Sequence, residues 1–278
     1  MCPKQNFAPV STIVESTKEF STNMNKISFP SAKDVTTGRH QMNGFRYHLE
    51  GHPEAKFQPQ IIDSLKKYSD ESASLVEKLS TLQAKAVGCI ANLRLKAIYA
   101  KDSLKTLDPK AIAQKDLDYS QDIFEKTLND SKDIIESLFL DIIDALAKNK
   151  LTQNALEEIG SLAGQARGSE FRKNLEAQAG TLSRIGLGDQ VQYQKSQEIL
   201  ALLEKIISST VSNEHLLEEI QIHVQRFRVS LDNLQKYVTR STVGPIPLEL
   251  QFQIIDHSIV AMREHEESIT RRITSGMV

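Results

Sequence analysis

Three of the chain's seven histidines, His40, His48 and His52, fall within the stretch TTGRHQMNGFRYHLEGHPEAKF. Imidazole nitrogens bind zinc when three or four ligands converge, and His48 and His52, four residues apart, would share one face of a helix. Gly51 and Pro53 bracket His52 and break a helix there, and no cysteine pair or HExxH pattern supplies the remaining ligands. We therefore expect a polar lead-in in which Phe45, Tyr47 and Phe57 find apolar surroundings, and no metal. His215 and His223, with Glu219 between them, also share a face at spacings of four, while His257 and His265 lie eight apart. A four-helix carboxylate site would place Glu-x-x-His on two helices, and neither segment does. These four histidines belong on partly exposed flanks, and titrate near neutrality only where buried.

No nucleophile elbow, phosphate-binding glycine loop or dinucleotide fingerprint occurs, and there is no βαβ alternation to hold one. An enzyme is not expected, nor a cofactor or a small-molecule substrate. Cys2 and Cys89 are too few and too far apart for a disulfide framework. The start of the chain, MCPKQNFAPVSTIVES, lacks the apolar core of a signal peptide, and nowhere do 18 apolar residues run together. The expectation is a soluble, cytoplasmic protein, with leaderless secretion compatible.

The elements that position these residues are helices. Prolines fall at 3, 9, 30, 53, 59, 109, 245 and 247, which leaves residues 110–244 with none. Between Pro59 and Pro109, apolar or small residues recur at alternating steps of four and three, from Ile61, Leu65, Tyr68, Ser72 and Leu75 to Leu79, Leu82, Ala86, Cys89 and Leu93. This is a heptad seam. The pattern returns in Leu117, Gln121, Phe124, Leu128, Ser131, Ile135, Leu138 and Ile142. It runs longest from Ile199 through Leu203, Ile206, Thr210, Asn213, Leu217, Ile220, Val224, Phe227 and Leu231 to Val238. The last seam is Leu248, Phe252, Ile255, Ile259, Met262, Glu266, Ile269 and Ile273. Thr210 and Asn213 are polar residues at core positions, where burial costs stability but fixes register.

Apolar residues beside these seams, such as Ile62, Val76, Ile134, Ile143, Leu202 and Ile254, make each stripe wider than a two-stranded coiled coil needs. The fold class is all-α, an elongated antiparallel helical bundle with long coiled-coil-like helices over residues 58–278. Residues 1–57 read as an irregular N-terminal arm with one short helix in STIVESTKEFSTNMNKI. Asp108 and Pro109 suit a helix start, and Gly244 a helix end with a restart after Pro247.

Residues 151–188 hold six of the twelve glycines, and Gly160, Gly164 and Gly168 fall four apart. In a helix they form a smooth ridge that permits close backbone approach, and each costs about 1 kcal/mol relative to alanine. They mark a connector or tip, and a candidate membrane or switch segment.

The net charge of −2 excludes a generally basic nucleic-acid binder, but it hides a gradient: +3 over residues 58–107 and −5 over 108–149. Such segments suit neighbouring helices that attract across a solvated rim. Lys85, Arg94, Lys96, Lys101 and Lys105 cluster as a candidate basic contact patch for acidic lipid, nucleic acid or the acidic next helix.

Long helices without a catalytic constellation point to a non-enzymatic interaction protein that acts through protein–protein association or oligomerisation. The layout, with long helices, a special segment midway and no cleavable leader, resembles the cytolysin A type of rod. The resemblance covers no motif, and the segment LTQNALEEIGSLAGQARGSEF is charged where that layout has an apolar head. It implies the alternative: a component of an α-helical pore-forming toxin that rearranges on membranes. A membrane-curving crescent dimer would use the Lys85–Lys105 patch on a broader basic face than this chain supplies.

Overall fold

The computed structural model describes residues 10–50, 58–106, 114–168, 189–240 and 248–275, and among these it is an all-α helical bundle of six helices. They are α1 (Val10–Lys26), α2 (Ala32–Glu50), α3 (Gln58–Leu104), α4 (Gln114–Gly168), α5 (Asp189–Arg240) and α6 (Leu248–Ser275). The chain folds into two compact units. Residues 1–29, 81–143 and 216–278 make the first, and residues 30–80 and 144–215 the second. Residues 32–50, expected within an irregular arm, form a 19-residue helix instead. Ser31 caps it by accepting a hydrogen bond from the Asp34 amide at 3.1 Å, and Val35, Gly38 and Met42 bury its inner face.

In the first unit, side-chain contacts trace a closed ring of five helices, α3–α4–α5–α1–α6 and back to α3. Lys85 pairs with Asp141 at 2.7 Å and Lys96 with Asp130 at 2.8 Å, so eleven residues forward on α3 match eleven back on α4: the two are antiparallel. Lys132–Asp232 and Glu136–Arg228, each at 2.6 Å, set α5 antiparallel to α4. Phe20 stacks on Phe227, with ring centroids 4.6 Å apart, and Ser16 meets Ser230, which lays α1 antiparallel to α5. Ser21–His265 and Asn25–Arg272 then run in the same direction, so α1 lies parallel to α6. Arg94–Glu266 and Lys101–Asp256 close the ring.

In the second unit, Lys67–Glu158, Lys78–Asp144 and Glu71–Lys148 join α3 to α4. Met42, Leu65, Tyr68, Ala155, Leu156, Ile159 and Ile206 form the core of that unit. Gly38 allows α2 to approach: a Cβ there would meet Tyr68 Oη and Ile206 Cγ1, each at 3.2 Å. In both units the basic α3 thus faces the acidic flank of α4. Exposed pairs contribute about 0–1 kcal/mol each, so they select the partner helix and its register more than they hold the bundle.

Burial follows the seams. On α3 each seam position from Leu65 to Leu93 is buried. On α6 the interior alternates Gln251, Ile255, Ser258, Met262 and Ile269, where Phe252 and Ile259 were expected and are only half-buried. The reason is α1, which packs beside α6 and turns that flank inward.

Candidate functional site

The histidines weighed as candidate metal ligands do not converge among the described residues. His40 is exposed on α2, His48 lies on the same helix, and His52 lies outside the described residues. His215 and His257 are exposed, and His223 is half-buried with an Nδ1 that has no hydrogen-bond partner. Among the described residues no group of three or more His, Cys, Asp and Glu is placed to hold a metal ion.

One Ser–His contact does form. Ser21, fully buried on α1, has its Oγ 2.9 Å from His265 Nδ1 and donates to the Lys18 carbonyl at 2.8 Å. Burial holds the His265 pKa below its usual value, with Glu264 opposing. The pair sits inside the α1–α6 contact and acts as a clasp between residues 244 apart in sequence. Cys89 is buried as a free thiol, and burial pushes its pKa up to about 12, so it stays protonated and unreactive.

An open cleft of about 570 Å³ lies between α3 and α4 in the first unit. Its walls are Ala84, Gly88 and Cys89 on one side and Ile134, Ser137 and Leu138 on the other. Thr81, Lys85 and Asn92 also line it, so its walls are mixed polar and apolar and it is a shallow groove between the two helices.

The basic patch is compensated inside the protein. Lys85 pairs with Asp141, Arg94 with Glu266 at 3.0 Å, Lys96 with Asp130, Lys101 with Asp256, and Lys105 with Asp102 at 3.1 Å. The five cations thus bridge α3 to α4 and α6, or sit beside an acid on α3 itself.

Neither the known family models nor the curated proteins match this chain.

The glycine row, left open between helix, tip and loop by the sequence, begins within a helix, since α4 continues to Gly168. Gly160 faces solvent, and a Cβ added there would meet nothing within 4 Å. Among the described residues no neighbour takes up the space of the missing side chain, so Gly160→Ala is expected to stabilise the fold by about 0.5–1 kcal/mol, through helix propensity and a less flexible unfolded chain. A urea midpoint that fell instead of rising would assign the exposed glycine another role. The rest of the connector, residues 169–188, lies outside the described residues.

A feature only partly anticipated is a buried polar layer in the second unit, made of Asn149, Thr152 and Gln153 on α4 with Thr210 and Asn213 on α5. Asn149 Nδ2 donates to the Thr210 carbonyl at 3.1 Å, and Gln153 Nε2 to Glu214 Oε2 at 2.7 Å. Thr210 turns its hydroxyl back to Ile206 O at 2.8 Å. Asn149 Oδ1 and Asn213 Nδ2 remain without partners, a cost that an all-apolar layer would avoid. Two seam positions held Thr210 and Asn213 in the sequence; the α4 half was hidden because its polar residues continue past the last apolar seam position.

Proposed function

We propose that the protein is a non-catalytic, cytoplasmic interaction module, which associates with a protein partner or with itself through outward apolar rows on its long helices. The observation that carries this reading is a patch in the first unit. Leu140 and Ile143 on α4 are 58% and 43% exposed, and Ile222 and Val229 on α5 are 49% and 47% exposed. Single exposed apolar side chains are ordinary, but these four lie on two helices already paired by Lys132–Asp232 and Glu136–Arg228. The antiparallel register brings Leu140 and Ile143 level with the stretch around Ile222. Between them, the Arg228 guanidinium lies 4.2 Å from the centre of the Phe139 ring, an Arg–aromatic pair of the kind enriched in interface cores.

Sedimentation velocity over a concentration series tests the reading. We expect a mass above the 31.2 kDa of one chain that returns to it in the Leu140→Glu, Val229→Glu double variant. A wild type that stays monomeric at about 100 μM, well above ordinary micromolar affinities, removes self-association. The same partners captured by wild type and variant alike would remove the patch.

The buried polar layer supports a second reading, the soluble component of an α-helical pore former. A bundle that opened along Asn149, Gln153, Thr210 and Asn213 would present a wettable lining. Among the described residues no helix is long and apolar enough to cross a membrane, so this reading rests on rearrangement. Dye release from liposomes is its measurement, and vesicles that stay sealed at every protein concentration dismiss it.

A further inference from the structure

On α2 in the second unit, residues 39, 43, 46 and 50 fall within about 60° of one another at about 100° per residue. They are Arg39, Asn43, Arg46 and Glu50, and this row flanks α3, since Asn43 Nδ2 donates to Ser69 Oγ at 3.1 Å. Both arginines of the row carry an unmet donor. The Arg39 Nε and the Arg46 Nε are each shielded from solvent and without a hydrogen-bond partner, while the unpartnered atom of Asn43 is Oδ1, an acceptor, so Asn43 can offer an anion only the second hydrogen of its Nδ2. Arg39 forms no ion pair with any described carboxylate, whereas the lysines of α3 that face α4 each have one. Arg46 has only Glu50, at 3.6 Å, beyond hydrogen-bond reach. Of the acids of α3 nearby, Asp63 lies beside Lys66 and Glu71 beside Lys148, and Asp70 is exposed beside Ser69 without an ion pair to either arginine.

Two guanidinium groups two turns apart on one helix face, with an asparagine and a serine hydroxyl between them, are the donor set that a tetrahedral oxyanion satisfies. Arginine forks match phosphate oxygens in pairs, and a half-buried setting weakens competition from water. Next to the row, Tyr47 is 61% exposed, and the Arg46 guanidinium lies 4.6 Å from the centre of its ring. An exposed amphipathic ring beside an anion site is the arrangement that suits a headgroup at a membrane interface.

We propose that Arg39 and Arg46, with Asn43 and Ser69 between them, form a binding site for a phosphate group. The phosphate is either free or carried by an anionic lipid, and Glu50 occupies part of the site when it is empty of ligand. The inference is independent of the association patch on α4 and α5, so either can fail alone.

Isothermal titration calorimetry of the full chain with inorganic phosphate tests the site. Co-sedimentation with phosphatidylcholine vesicles, with and without phosphatidic acid, then identifies the source. We expect Arg39→Gln and Arg46→Gln each to weaken phosphate binding about tenfold or more, as loss of a charge-assisted pair does, and Glu50→Gln to strengthen it about threefold. Arg39→Lys, which keeps the charge without the fork, should fall between and serves if Arg39→Gln does not fold. Phosphate binding accompanied by capture on phosphatidic acid vesicles assigns the lipid. Phosphate binding without vesicle capture assigns a soluble phosphate. No heat with phosphate up to about 10 mM together with no vesicle capture overturns the site. Equal binding by the Arg39→Gln, Arg46→Gln double variant also overturns it.

Discussion

Phe227→Ala lowers the stability of the protein by about 3–5 kcal/mol, the range for truncating a buried aromatic ring. Phe227 is 4% exposed on α5, and its ring stacks on Phe20 of α1 at an interplanar angle of 12°. Burial of the ring supplies most of the effect, and the aromatic pair adds about 0.5–1.5 kcal/mol beyond area. The cavity cannot close by simple collapse, because Phe20 is itself held from the α6 side by the Ser21–His265 contact one residue on. Urea unfolding measures the loss. Limited proteolysis should show α1 as the first segment to become cleavable. A loss below about 1 kcal/mol would mean that α1 is retained without the stack, at odds with the cost of emptying a buried aromatic site.

Arg272→Met has the second largest expected effect, a loss of about 2–4 kcal/mol, since hydrogen bonds from charged donors contribute about 1.5–3 kcal/mol each and these are partly solvent-screened. The guanidinium of Arg272, on α6, donates to Ile27 O at 3.1 Å, to Asn25 O at 2.7 Å and to Asn25 Oδ1 at 3.3 Å. These carbonyls lie at and just past the end of α1, where no further turn of helix satisfies them, and the positive charge sits at the negative end of the helix dipole. Methionine keeps much of the apolar stem and removes only the donors, so the measured change reports the cap. Arg272→Lys should restore part of the loss but not the two-carbonyl geometry. Hydrogen exchange is the most direct readout, with faster exchange along α1 and little change on α4. The Phe227→Ala, Arg272→Met double variant should lose less than the sum, because one docked helix depends on both.

How far the sequence could be read depended on how far apart the contacting residues lie. The α3 seam, set by neighbours three and four apart, matches the buried face from Leu65 to Leu93. The opposite charges of residues 58–107 and 108–149 appear as ion pairs such as Lys85–Asp141 and Lys96–Asp130. On α6 the same periodicity chose Phe252 and Ile259, because nothing local says that a helix from the other end of the chain will bury Ser258 and contact His265. Helix α2 was hidden by its composition. Gly38 looks like a helix breaker until Tyr68 and Ile206 are seen to occupy the space of its side chain. Its signals were present, in the Ser31 cap and the spacing of Val35, Gly38, Met42 and Phe45. The row of Arg39, Asn43 and Arg46 is likewise invisible in an irregular segment, since only a helix puts the three on one face. His52, Asp108, Pro109, Gly244 and residues 169–188 lie outside the described residues.

The side-by-side placement of α1 and α6 imposes a waiting time on the ribosome. Ser21 and His265 are 244 residues apart, and at about 5–20 residues per second their meeting is delayed by roughly 12–50 s after α1 has been made. Throughout that interval Val10, Ile13, Val14, Phe20 and Met24, all buried in the finished protein, have no α6 to cover them. A nascent chain in this state exposes the kind of apolar helix that chaperones hold, and the first unit closes only after α6 has emerged.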